Sequence, residues 1–126
     1  NMIAAKAQCF AEASENSFKY YIKDVLSNAK AMAKVFMESG YNVITKGTDS
    51  HMFLLDLSDK KISGREAADR LEENGITVNK NGVPKDPRNF IETSGIRIGT
   101  AAETTKGRTE DWFSGIAHIM VEILEK

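Results

Sequence analysis

Between Phe18 and Phe36 the apolar residues fall at Phe18, Ile22, Val25, Leu26, Ala29, Met32, Ala33 and Phe36. That is a stripe of about 3.6-residue period, with Lys19, Lys23, Asp24, Lys30 and Lys34 off it. A helix with one apolar face must bury that face against another layer. The spacing predicts a long amphipathic helix stopped by Gly40, its stripe forming core rather than lining a cofactor. The 126 residues suffice for one domain around one modest core.

The remaining elements follow from the same kind of pattern. Met2 to Ala13 is Ala-rich and helical. Ser14-Glu-Asn-Ser17 interrupts it and offers Ser17 as the next N-cap. The start, Asn1-Met-Ile-Ala-Ala-Lys6, reads as a cut inside an existing helix, so residues 1–16 are expected to continue a helix from a longer chain. Tyr41–Thr45 and His51–Leu57 read as strands of an antiparallel hairpin about the turn Lys46–Ser50. Ser63-Gly-Arg-Glu66 is a capping-box pattern opening a helix with Ala67, Ala68 and Leu71, which Gly75 ends. Ile76–Val78 reads as a short strand, and Asn79–Asn89 as a long strandless loop, a kind that is usually functional or mobile. Gly95–Gly99 is a strand and Ala101–Arg108 a polar connection. Thr109 caps a last helix, with Glu110 and Asp111 at the positive end of its dipole. Trp112, Phe113, Ile116, Ile119, Met120, Ile123 and Leu124 supply that helix's buried face. The expected architecture is α/β: a small mixed or antiparallel sheet covered by helices on one face, in a single domain spanning 1–126.

Several function classes fall away. The 17 basic and 18 acidic residues nearly cancel, without long runs, so neither a nucleic-acid footprint nor a polybasic membrane patch is expected. No apolar run approaches the roughly 20 residues of a membrane span. The start has no signal-peptide architecture, and a soluble, intracellular chain is expected. A single cysteine, Cys9, excludes an internal disulfide and a Cys-rich zinc site, and its Ala-rich surroundings suggest packing. His51 has only Asp49 near it in sequence and His118 has no partner at ligand spacing, so no metal site is expected. Nucleophile elbow, Walker loop and dinucleotide fingerprint are absent. Asp56 and Asp59 fit a solvated turn. Lys106, in Thr104-Thr-Lys-Gly107, stands in a polar linker with nothing to depress its pKa, and a Schiff-base role is rejected.

Two residues keep a chemical claim. In Gly95-Ile-Arg-Ile-Gly99 the isoleucines share one strand face and Arg97 lies on the other between two glycines. That leaves open space around a planar, permanently charged fork suited to a carboxylate or phosphate. An exposed arginine on a solvated face is the plain alternative. In Asn79-Lys-Asn81-Gly, asparagine amides offer donor and acceptor together, which suits a heterocycle with mixed edges. A turn rich in Asn and Gly explains them equally well.

Taken in order, Ile3-Ala-Ala-Lys-Ala7, Gly47-Thr-Asp-Ser-His51 running into a strand ending Asp56-Leu57, Gly75-Ile-Thr-Val-Asn-Lys-Asn81, Pro84 with Asp86-Pro87, Thr93-Ser-Gly-Ile-Arg-Ile-Gly-Thr100 and Thr104-Thr-Lys-Gly107 resemble the C-terminal domain of serine hydroxymethyltransferases. The resemblance covers nearly the whole chain. It implies the small domain of a fold type I (aspartate-aminotransferase-like) pyridoxal-phosphate enzyme, cytoplasmic and homodimeric. That enzyme exchanges a one-carbon unit between serine and tetrahydrofolate, giving glycine and 5,10-methylenetetrahydrofolate. It further implies that Arg97 clamps the amino-acid carboxylate and that Asn81 contacts the folate ring. The cofactor lysine and phosphate-binding residues of the family lie upstream of the matching region, so no catalytic or cofactor-binding residue, and no activity, is expected of this chain alone. Asn89-Phe-Ile-Glu92, Ala101 and Arg108 depart from the family pattern. The rival readings are the small domain of another fold type I enzyme and a free-standing module that binds a carboxylate ligand through Arg97.

Overall fold

Helix α2 (Asn16–Glu38) organises the molecule, burying Val25, Ala29, Met32, Ala33 and Phe36 from the expected stripe together with Asn28 and Val35. It ends where Gly40 N–H reaches the Met37 carbonyl (3.2 Å) and Tyr41 N–H the Phe36 carbonyl (3.0 Å). The Tyr41 ring then packs edge-on against Phe36 at 5.8 Å, the apolar contact that seals such a closure. The computed structural model describes residues 2–126. The other elements are α1 (Met2–Ala13), β1 (Asn42–Val43), β2 (Met52–Asp56), α3 (Gly64–Glu73), β3 (Asn79–Asn81), β4 (Gly95–Gly99), α4 (Ala101–Thr105) and α5 (Glu110–Glu125).

The four strands form one sheet in the order β1-β2-β4-β3, and every neighbouring pair is antiparallel. Of the two sheet types the sequence left open, the antiparallel one is found. Pairing Val43 with Leu55, Leu55 with Ile96 and Phe53 with Ile98 puts all five on one face, and all five are buried. Against them pack Phe36 and Met32 of α2, Leu71 of α3, and Phe113, Met120 and Leu124 of α5. The opposite face carries Met52, Leu54, Asp56, Gly95, Arg97 and Gly99, with no helix over it among the described residues. A one-sided antiparallel sheet of this kind produces the alternation seen along β4.

The differences from the expected elements have local causes. β1 stops at Val43 because Thr45 and Lys46 turn left-handed (φ 67° and 61°) inside a 3-10 turn at Ile44–Lys46. The strand expected at Ile76–Val78 forms instead at Asn79–Asn81. Ile76 N–H is engaged by the Leu71 carbonyl (2.9 Å) in closing α3, so the chain must still travel to the sheet edge before it can pair. Edge pairing with β4 then overrides the weak strand propensity of Asn-Lys-Asn. Residues 101–108 are not merely a connection, since α4 occupies Ala101–Thr105. It is tied to α2 by Asn28 Nδ2 donating to Thr104 Oγ1 (2.9 Å) and Tyr21 Oη to the Ala101 carbonyl (3.2 Å).

At the helix starts, Ser63 accepts from Glu66 N–H (3.1 Å) as its pattern predicts, whereas the Glu66 carboxylate pairs with Arg70 (2.7 Å). Ser17 is not a cap: α2 begins at Asn16, and the Ser17 hydroxyl lies against Glu15 (3.4 Å). Thr109 holds the N-cap position of α5 without a side-chain bond. Phe18 and Ile22, expected in the core, are more than a third exposed, and Ile119 is 47% exposed because Ala117 and Val121 take the inward positions of α5. No residue of α1 is buried, which leaves Cys9 exposed rather than packed. Asn1, expected at the head of that helix, lies outside the described residues. Among those described, no helix is long and apolar enough to cross a membrane.

Candidate functional site

β4 sets the site through its register. Arg97 stands directly between Leu54 of β2 and Asn79 of β3, on the uncovered face. Asn81 pairs with Gly95, so its side chain emerges on the same face, diagonal to Arg97 and within the reach of long side chains. Both residues line one open groove of about 390 Å³, flanked by Thr45, Gly47, Thr48, Asp49 and Ser50. The two residues singled out in sequence are therefore brought together.

Arg97 is exposed, and no described residue pairs with its guanidinium. Among the residues lining the groove it is the only cation and Asp49 the only anion. Asp49 is turned toward Lys30 at 4.0 Å, an exposed pair of little energetic weight. The site thus presents five unengaged N–H donors in a fixed plane beside Leu54 and Met52, next to the Asn81 amide, one N–H of which donates to the Gly82 carbonyl (2.9 Å). Chemically it can grip a carboxylate or phosphate by a fork and offer donor and acceptor to an adjoining polar ring.

The glycines on either side of Arg97 are not equivalent. A Cβ on Gly99 would meet only ordinary contact, 3.9 Å from the His51 carbonyl oxygen, so that side is open as expected. A Cβ on Gly95 would stand 2.7 Å from both the Asn81 carbonyl oxygen and Val83 Cγ1. Gly95 is small because the β3 edge and Val83 close over it, not because space is left for a ligand. Gly64, at the start of α3, is small for the same reason: a Cβ there would strike the Gly95 carbonyl oxygen and Thr93 Oγ1.

The loop between β3 and β4 is neither strandless at its start nor loose. Asp86 accepts from Ser94 Oγ (2.6 Å), Ser94 N–H (2.8 Å), Arg88 N–H (2.8 Å) and Val83 N–H (3.2 Å). Partial burial pushes the Asp86 carboxyl up, but the Ser94 hydroxyl and the three backbone donors together outweigh that and hold it at about 2. Arg88 donates to the Leu57 carbonyl (3.2 Å), the Lys60 carbonyl (2.8 Å) and Ser94 Oγ (2.9 Å). Glu92 accepts from Ser63 Oγ (2.9 Å), and its backbone carbonyl caps Arg65 N–H (2.9 Å), docking α3 on the approach to β4. In the sequence, Asp86-Pro87 and Gly47–His51 are pieces of the family resemblance with no place at the site. Their turn chemistry was visible, but the partners it would reach were not. Thr45 and Thr93, β-branched residues at φ 67° and 57°, mark the two strained bends beside the site.

A sequence model described as serine hydroxymethyltransferase matches residues 1–120. The chain belongs to the serine hydroxymethyltransferase family. Enzymes of that name from Psychrobacter sp. (strain PRwf-1) and Shewanella pealeana are each 49% identical to it, over 98% and 99% of this chain. The one from Ehrlichia ruminantium (strain Gardel) is 45% identical over 99% of this chain. The match takes in 29–30% of each relative, so the chain spans about a third of the length of the curated hydroxymethyltransferases it matches.

The family's cofactor, pyridoxal phosphate, needs a lysine in a desolvated pocket to carry it. The described lysines do not fit. All are exposed except Lys60, whose ammonium donates to the Gly40 carbonyl (3.3 Å) and lies over the Tyr41 ring. Lys106 is paired with Glu103 at 3.0 Å. Among the described residues no three His, Cys, Asp or Glu side chains cluster as a metal site.

Proposed function

We propose that this chain is the C-terminal small domain of a fold type I serine hydroxymethyltransferase, contributing the substrate-carboxylate arginine and part of the folate site. The observation that carries this is the shared groove: the Arg97 guanidinium, unpaired among the described residues, and the Asn81 amide stand on adjacent strands at the same opening. Arg97 grips the carboxylate of serine or glycine by two parallel N–H bonds. That grip fixes the rotation of the amino acid about its Cα, which is what decides the bond presented for cleavage. Asn81 supplies donor and acceptor to the edge of the folate ring. Pyridoxal phosphate, which would be held by residues outside this chain, would supply an electron sink for chemistry at Cα. The working enzyme on this reading is a cytoplasmic homodimer interconverting serine plus tetrahydrofolate with glycine plus 5,10-methylenetetrahydrofolate.

The test is steady-state kinetics of the longer enzyme carrying this segment. Arg97→Lys keeps a charge but replaces the fork by a point donor, and kcat/KM for serine is expected to fall by on the order of a hundredfold or more. Asn81→Ala is expected to weaken folate binding and spare serine. Normal saturation by serine in Arg97→Lys would remove the carboxylate assignment. Unchanged folate affinity beside lost serine affinity in Asn81→Ala would remove the other.

A further inference from the structure

We infer that Arg88 is a positioning residue that sets the relative placement of Asn81 and Arg97, and so tunes both ligands of the proposed site at once. The inference rests on the reading of those two residues given above.

β3 holds β4 by only three residues, Asn79 to Asn81, and the chain then leaves the sheet until Gly95. An edge strand that short depends on whatever fixes its ends. One end is fixed by Val83, packed over Gly95 with its N–H on Asp86. Ser94, at the far end of the loop and just before β4, is gripped from three directions: its amide and hydroxyl by Asp86, its hydroxyl also by Arg88, and its carbonyl by Leu57 N–H at 2.6 Å. Asp86 joins these two ends only to each other and to Arg88. The Arg88 guanidinium carries the assembly outward, to the carbonyls of Leu57 at the end of β2 and Lys60 in the turn beyond it. One planar fork therefore ties the β3–β4 loop to the central strand. Its three acceptors lie around a plane, which a lysine ammonium, donating from a single point, does not reproduce.

Neither ligand residue touches Arg88, yet Asn81 is two residues from Val83 and Arg97 three from Ser94. Releasing the fork lets the loop shift against β2, and the diagonal between the amide and the guanidinium loosens. A displacement of about 1 Å at a binding constellation is enough to cost a large factor in rate.

Two readouts test this. In the first, side-chain NMR signals of Asn81 (Nδ2) and Arg97 (Nε) are compared in this chain and in its Arg88→Met, Arg88→Lys and Ser94→Ala variants, with backbone amides of α5 as the control. Both side-chain signals are expected to shift or split while α5 stays unchanged. In the second, the longer enzyme with Arg88→Met is expected to show KM raised about tenfold for serine and folate together, with Arg88→Lys recovering little of it. If Arg88→Met fails to fold, Ser94→Ala, which removes the shared hydroxyl, carries the comparison. A lower melting temperature with both KM values and both side-chain signals unmoved would overturn the inference and leave Arg88 a structural staple. Failure of the underlying site assignment looks different: Arg97→Lys would then leave serine saturation untouched, and the NMR comparison would still judge Arg88.

Discussion

Replacing Asp86 by Asn removes a charge while keeping the shape of the side chain, and the structure says how the cost should vary with pH. The gap between the ordinary carboxyl value of 3.8 and the value of about 2 in the folded chain, at about 1.4 kcal/mol per tenfold change in proton affinity, sets a ceiling of about 2.5 kcal/mol. Asp86 is only half-buried, and screening by solvent brings the expected contribution to about 1–2 kcal/mol. Because the folded-state value is the lower one, this stabilisation is complete above about pH 5 and fades as the pH falls through 3.8 toward 2. Urea unfolding of both proteins between pH 7 and pH 2 reads the difference directly, since the other carboxylates titrate alike in each. The wild-type chain is expected to lead by about 1–2 kcal/mol at pH 7 and by little at pH 2. A gap that stays constant across that range would refute the reasoning. The four hydrogen bonds would then matter through geometry alone, with no preference for the ionised form.

Other perturbations probe separate parts of the structure. Gly95→Ala forces a methyl against Asn81 and Val83 and is expected to destabilise by about 1–3 kcal/mol in denaturant melts; Gly99→Ala, with open space, should cost well under that. Phe113→Ala empties the buried first turn of α5 and should cost about 3–5 kcal/mol, whereas Ile119→Ser on the exposed side should stay within about 0.5 kcal/mol. Ser63→Ala removes both the α3 cap and the anchor of Glu92, and a loss of about 1–2 kcal/mol by thermal melting is expected. A null result there would mean that the Glu92 carbonyl on Arg65 N–H (2.9 Å) and the Thr93 carbonyl on Gly64 N–H (3.0 Å) cap α3 without it.

What could be read from the sequence was whatever depends on short-range periodicity. The α2 stripe from Val25 to Phe36 (Leu26 only half-buried), the Ile96–Ile98 alternation and the Ser63 cap each state their structure within a few residues, and each is found. The family was legible too, because many weak motifs stood in one order. The errors fall where a distant partner decides. Asn79–Asn81 carries no strand signal of its own and becomes a strand because β4 offers it an edge. Cys9, Phe18 and Ile22 carry core-like patterns yet remain exposed, since nothing described packs on that side of α1 and the start of α2. Gly95 looks permissive beside Arg97 until Val83, from across the loop, is seen to occupy the space. At the site, residue types nominated Arg97 and Asn81, but only the sheet register could say that they meet. Arg88 gave no signal, because its acceptors are backbone carbonyls that no sequence pattern names.

The alternation along β4 has a consequence for how such a site can change. Ile96 and Ile98 spend their side chains on the core, while Arg97 spends its own on the open face and holds no partner that the fold requires. On the proposed reading, stability and ligand choice fall on alternate residues of a single strand. Substitutions at the odd positions can alter what is bound at little cost in folding free energy, provided Gly95 stays small. Selection can therefore act on recognition here almost independently of selection on the fold, a separation that an enclosed site, whose lining is also its core, does not allow.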